Sequence, residues 1–211
     1  MSNVVPVTRA PVPWLIGGAV GITGYKLVFN GTFDNYFDSN ATINYNWSFS
    51  MDKWIGTQWI ASGISNSSAP VLGYQIPAMA TADLPYHVYL LPVSGSNAVT
   101  RGDWLRINCN FHWTYNGTDD STYCAADLNV HPGDISGNAS IIFPYLGADN
   151  VVNSLDVSPI AANWLATVPP GANPTSLLAR ADINGDGVVN SKDIALICAH
   201  WLLTWTNTPQ P

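Results

Sequence analysis

Hydrophobic and polar positions alternate along most of the first two-thirds of the chain. Ile43, Tyr45, Trp47, Phe49 and Met51 alternate with Asn44, Asn46, Ser48 and Ser50. Leu105, Ile107, Cys109, Phe111, Trp113 and Tyr115 form a second long alternating face. A period of two puts each apolar set on one face of a half-buried strand. Shorter runs of the same kind lie at 25–30, 53–60, 71–76, 86–91, 124–130 and 140–143, with turn residues between them. About eight or nine strands with no helical period predict an antiparallel β-sandwich of jelly-roll or immunoglobulin type. Residues 1–22 cannot be helical through Pro6, Pro11 and Pro13. They read as extended chain, an edge strand of this sandwich or one donated to a neighbour's sheet.

The period changes near residue 145. Ile194, Ile197, Cys198, Trp201 and Leu202 recur at the spacing of one helical stripe, with Cys198 in the core. Directly before them stands Asp182-Ile183-Asn184-Gly185-Asp186-Gly187-Val188-Val189-Asn190-Ser191-Lys192-Asp193. Side-chain oxygens fall at loop positions 1, 3, 5, 9 and 12, with glycine at position 6. This is the spacing of an EF-hand calcium loop, in which a hard cation gathers oxygens from the inward-pointing positions. The predicted ligands are Asp182, Asn184, Asp186, the Val188 carbonyl, Asn190 and Asp193. Aspartate closes the loop where an EF-hand has glutamate; the chain contains no glutamate.

Thirty-seven residues earlier the pattern recurs. Asp149, Val151, Asn153 and Asp156 match Asp186, Val188, Asn190 and Asp193. Val157, Ile160, Ala161, Trp164 and Leu165 repeat the helical stripe. This copy is degenerate, because Tyr145 and Gly147 stand at positions 1 and 3. It reads as a weaker calcium site or as a relic loop with Asn150 left-handed. A duplicated loop-helix closed by aspartate, with no entering helix, resembles the type I dockerin family. The resemblance implies calcium, two antiparallel helices and a cohesin partner. The expected domains are a β-sandwich over 1–144 and a dockerin-like module over 145–211, joined without a flexible tether.

Composition narrows the function. Only 10% of residues are charged and the formal net charge is −7, so the basic stripe of a nucleic-acid binder is missing. No apolar run is long enough to span a bilayer as a helix. Trp14 to Ile22 makes a poor signal-peptide core, yet Asn-x-Ser/Thr sequons at Asn30, Asn40, Asn46, Asn66, Asn116 and Asn138 favour a secreted glycoprotein. Cys109 and Cys124 flank Asn116-Gly117, a hairpin signal that sets them opposite each other, close enough for a disulfide. No carboxylate pair, zinc spacing or nucleophile elbow marks a catalytic site. Trp47 and Trp113 read as core; Trp54, Trp59, Trp104 and Trp205 read as exposed. The leading expectation is a non-enzymatic surface protein, the subunit of a filament or layer built from copies of itself and stiffened by calcium. By fold analogy alone it resembles archaeal bundling-pilus and biofilm-fibre subunits. The alternative is a carbohydrate-binding or cohesin-docking module.

Overall fold

The computed structural model describes residues 14–141 and 146–204. Among these, the strands are β1 (Trp14–Thr23), β2 (Lys26–Asn35), β3 (Ala41–Trp54), β4 (Trp59–Ser67), β5 (Val71–Ile76), β6 (Ala80–Asp83), β7 (His87–Leu90), β8 (Trp104–Tyr115), β9 (Thr118–Asn129), β10 (Gly137–Ile141) and β11 (Leu146–Ala148). The helices are α1 (Ser154–Ala162), α2 (Leu177–Ala181) and α3 (Ser191–Ala199).

Two antiparallel sheets make the sandwich. In one, β2 has β1 on one edge while β6 and β7 share the other. In the other, β3 is flanked by β8, with β4 and β5 sharing its far edge and β9 outside β8. The inward faces meet through aromatic rings. Phe29 of β2 lies 5.0 Å from Phe49 of β3, and Phe33 lies 5.3 Å from Trp113 and 5.5 Å from Phe111 of β8. Ring pairs at such separations add about 0.5–1.5 kcal/mol each beyond the burial of their area. Trp47 and Trp113 are core, as their alternation predicted; against expectation Trp104 is also buried and Trp54 and Trp59 are half-buried, while Trp205 lies outside the described residues.

The N-terminal segment is an edge strand over its described part, and its own sandwich holds it. Every residue pair of β1 is made with β2 of the same chain, and residues 1–13 of the segment read as an edge or donated strand lie outside the described residues. The β8–β9 turn has Asn116 and Gly117 both at positive φ (48° and 76°), the conformation a two-residue hairpin demands. The register then carries Tyr115 opposite Thr118 and Cys109 opposite Cys124, as expected. The disulfide itself is not formed: both are free thiols, in hydrogen-bond contact. Register supplies only the geometry; a bridge also needs an oxidant to take up two electrons and the two thiol protons.

Asn40, Asn66 and Asn116 of the sequons are exposed, whereas Asn30 and Asn46 are half-buried. The Asn30 side chain accepts the Gly31 N–H at 2.8 Å. Asn138 lies within β10.

A second, smaller core lies beside the sandwich. Ile135, Val152, Ile160, Ala181, Ile183, Val189 and Ile197 pack together in it. Of the run at 140–143, expected as the last sandwich strand, Ser140 and Ile141 end β10, which pairs with β11 in a separate two-stranded sheet, and 142–143 lie outside the described residues. This small body sits on the outer face of β2 and β7. Lys26 and Val28 are therefore buried although they point away from the sandwich core. The Lys26 ammonium donates to the carbonyl of Ala179 at 2.6 Å and to that of Asp182. At Gly24, whose φ is +59°, an added Cβ would stand 2.8 Å from the Ile183 carbonyl oxygen; only glycine lets the two backbones approach so closely.

Candidate metal centre

The C-terminal body is built twice over. α1 and α3 are nine residues each, and both open on the same device. Asn153 and Asn190 cap the helices, while Asp156 and Asp193 return a bond to the cap's own N–H at 2.8 Å in each copy. Such a reciprocal cap satisfies orphan N–H groups that would otherwise lack partners. Pro159 cannot serve the Leu155 carbonyl inside α1; the Ser158 hydroxyl does so at 2.8 Å. Beyond each helix the chain turns left-handed, at Leu165 (φ 61°) and Leu202 (φ 58°). It then crosses to the other copy: Thr167 bridges Val188, and Thr204 bridges Val151.

These early helix ends correct the expected apolar stripe. It stops at Ile197, because Trp201 and Leu202 lie past the last helical turn. Trp164 is 47% exposed and Trp201 43%, Leu165 and Leu202 are more so, and Cys198 is exposed rather than core. A wide stripe needs helix to carry it, and nine residues give only two and a half turns.

All six residues expected in the second loop come together. Asp182 accepts the N–H groups of Asp186 and Gly187, each at 3.1 Å. Asn184 Oδ1 accepts the Asp186 N–H at 3.0 Å, and Asp186 Oδ1 accepts that of Val188 at 3.2 Å. Asp193, fully buried, accepts from Ile183 at 2.8 Å and Asn184 at 3.3 Å. Asn190 reaches the Val188 carbonyl at 2.9 Å. Gly185 and Gly187 supply the positive φ angles (73° and 86°) of the tight bends.

In the first loop Asp149, Val151, Asn153 and Asp156 also converge, and Asn150 is left-handed at φ 71°. Gly147 lies in β11, and Tyr145 lies outside the described residues. Gly147 has no side-chain oxygen to offer at position 3. Asp134, absent from the sequence expectation, is here instead: 3% exposed, it accepts the N–H groups of Asp149 and Asn150. A repeated tetrapeptide, Asp134-Ile135-Ser136-Gly137 against Asp182-Ile183-Asn184-Gly185, is the signal that finds it.

The electrostatics are those of carboxylates held in a crowded, partly dry place. Burial raises the carboxyls of Asp193 and Asp156, and pushes Asp134 up to about 7, helped by the charges of Asp156 and Asp149. Asp186 is lowered by its hydrogen bond from Lys192, at 2.7 Å. Burial lowers the Lys26 ammonium, against the pull of Asp182 and Asp193. A divalent cation among these oxygens would reverse the penalty on every acid.

The donor set suits calcium. Among the described residues no three His, Cys, Asp or Glu side chains form a cluster that could hold a metal by themselves. The ligand set of such a loop is mixed, however, and takes amide, hydroxyl and backbone oxygens as well. A carboxylate oxygen that accepts one N–H keeps another lone pair, so the bonds that shape the loop leave oxygens for an ion. All the donors are hard oxygens, with no thiolate or imidazole to favour zinc or copper.

Residues 147–200 match the family model of the dockerin type I domain. The match takes in α1, α3 and the whole second loop, and it begins thirteen residues after Asp134. No curated protein matches this chain. Among solved structures the chain is similar to Spo0M, a sporulation control protein from Bacillus subtilis. The identity is 12%, over 57% of this chain and 49% of that one, with a TM-score of 0.29. The chain thus spans about half the length of that protein, and a likeness so slight carries no argument about fold or function.

Proposed function

We propose that this protein is a non-enzymatic extracellular component that docks, through its C-terminal body, onto a cohesin-type partner. The single observation behind this reading is the dockerin match over 147–200. The duplicated face supports it. Trp164-Leu165 and Trp201-Leu202 expose the same apolar pair at equivalent places after α1 and α3. Exposed tryptophan beside leucine is what a partner's pocket takes up as an anchor. Calcium, when bound, holds the loops closed and so sets the helices; Asp182, Asn184, Asp186, Val188, Asn190 and Asp193 would hold it in the second loop.

The sandwich is then the passenger that docking places on a partner. We divide the chain after Val130 rather than after Pro144, because Val130 belongs to the sandwich core and Ile135 to the second one. The filament reading leaned on a donated N-terminal strand, and β1 is paired at home. A sugar platform built on Trp59 is obstructed by the Arg106 guanidinium, 4.3 Å above its ring.

Calorimetric titration of the full chain with a type I cohesin tests this. Binding is expected with calcium and lost in chelator, and Trp164→Ala with Trp201→Ala should weaken it at least tenfold without altering the melt. Calcium-loaded protein that ignores a panel of cohesins would sink the docking role.

A further inference from the structure

The bonds to the first and last carboxylates of the two loops correspond once the chain is read from Asp134. In the second loop the residues at positions 5 and 6 donate their N–H groups to Asp182, both at 3.1 Å. In the first loop the same positions, Asp149 and Asn150, donate to Asp134 at 3.1 and 2.8 Å. The closing carboxylate repeats the match. Asp193 Oδ1 accepts from Ile183 and Asn184, positions 2 and 3. Asp156 Oδ1 accepts from Ile135 and Ser136, at 2.8 and 2.9 Å. Ile135 and Ile183 are both fully buried in the same small core. Asp-Ile-Ser-Gly repeats Asp-Ile-Asn-Gly, so Gly137 falls where Gly185 stands.

What separates Gly137 from Asp149 is a hairpin. β10 and β11 pair antiparallel, with Gly137 directly opposite Ala148. Opposed residues of such a pair lie only about 4.5–5.5 Å apart. The chain therefore leaves the loop and returns to nearly the same point, and the loop closes as though residues 138–148 were absent.

We propose that the first loop is a whole calcium loop, interrupted between positions 4 and 5 by this hairpin, with Asp134 and Ser136 as its ligands at positions 1 and 3. The others are Asp149, the Val151 carbonyl, Asn153 and Asp156. Asp134, Asp149 and Asp156 would then share one ion with the amide, hydroxyl and backbone oxygens of their loop, as Asp182, Asp186 and Asp193 would in the other. Asp134 is the fourth residue after Val130, the last core residue of the sandwich before this body. A metal here ties that short connection to α1, and so fastens one body to the other. The inference rests on the calcium part of the functional reading and is independent of the partner.

The test is calcium titration of metal-stripped full-length protein, followed by calorimetry and native mass spectrometry. The wild type should take up two ions per chain, Asp134→Asn one, Asp182→Asn one, and the double variant none. A wild type that takes up one ion, or an Asp134→Asn variant that still takes up two, overturns the proposal. A wild type that takes up none overturns the calcium reading itself, and two ions without cohesin binding sink only the docking role. Should Asp134→Asn fail to fold, the carboxyl carbon resonance of Asp134 in the wild type decides. It should move as the first loop fills, and a resonance unmoved at saturating calcium counts against the proposal.

Discussion

The sandwich and the C-terminal body solve the same problem by different means. The sandwich buries a wide aromatic and aliphatic core, with Phe111 touching the rings of Phe33, Tyr45, Trp47 and Trp113. Among the described residues, the core of the C-terminal body has seven fully buried hydrophobic residues, none of them aromatic. Its shape is set by carboxylates and amides bonded to backbone N–H groups. A body so small gains little from hydrophobic burial, and staples of another kind usually complete it. The difference teaches where the chain depends on its surroundings: one region should stand in any buffer, the other only where calcium is present.

Chelation is the strongest way to break this contrast. Saturation of one site a thousandfold above its dissociation constant stabilises by about 4 kcal/mol, so two sites reach about 8 kcal/mol. Chelator should remove the helical far-UV signal and leave the near-UV signal of the buried tryptophans. Loss of both signals together would mean that the sandwich cannot stand alone. Phe111→Ala should act in the opposite sense, lowering sandwich stability by about 3–5 kcal/mol in denaturant melts. Calcium affinity should not change, since Phe111 belongs to the other core. Lys26→Met sharpens the comparison at the joint. It strips the donor from the buried carbonyls of Ala179 and Asp182, at a cost of about 1–3 kcal/mol for each. Calorimetric scans should then show two separated transitions in place of overlapping ones. The smallest effect is expected at Asn150→Gly. Its φ of 71° matches that of Gly187 at the same loop position, and glycine there should stabilise the calcium-loaded form by about 0.5 kcal/mol.

Much of this was legible in the residues because the signals were local. Alternation from Ile43 to Met51 and from Leu105 to Tyr115 gave β3 and β8, and Asn116-Gly117 alone fixed a register that holds as far as Trp104 and Asn129. The second loop was legible for the same reason, since its oxygen-bearing residues lie within twelve consecutive positions. What failed to show was whatever depends on distant chain. Lys26 has the look of a solvent-facing residue until another body covers it. Asp134 lies fifteen residues before Asp149, beyond any twelve-residue window, and only the fold brings its carboxylate to the Asp149 and Asn150 N–H groups. Trp201 keeps the helical period of the apolar stripe, but α3 ends at Ala199 and leaves it exposed.

The crossed bridges of Thr167 to Val188 and Thr204 to Val151 have a consequence for anyone who would shorten this protein. Each half's trailing strand is the latch on the other half's loop. Trimming the tail before Thr204 would therefore unfasten the far loop, about fifty residues upstream, while leaving the nearer one shut. Neither repeat is a portable unit; the pair is a clasp with two hooks, and opening either one frees what the other end was holding.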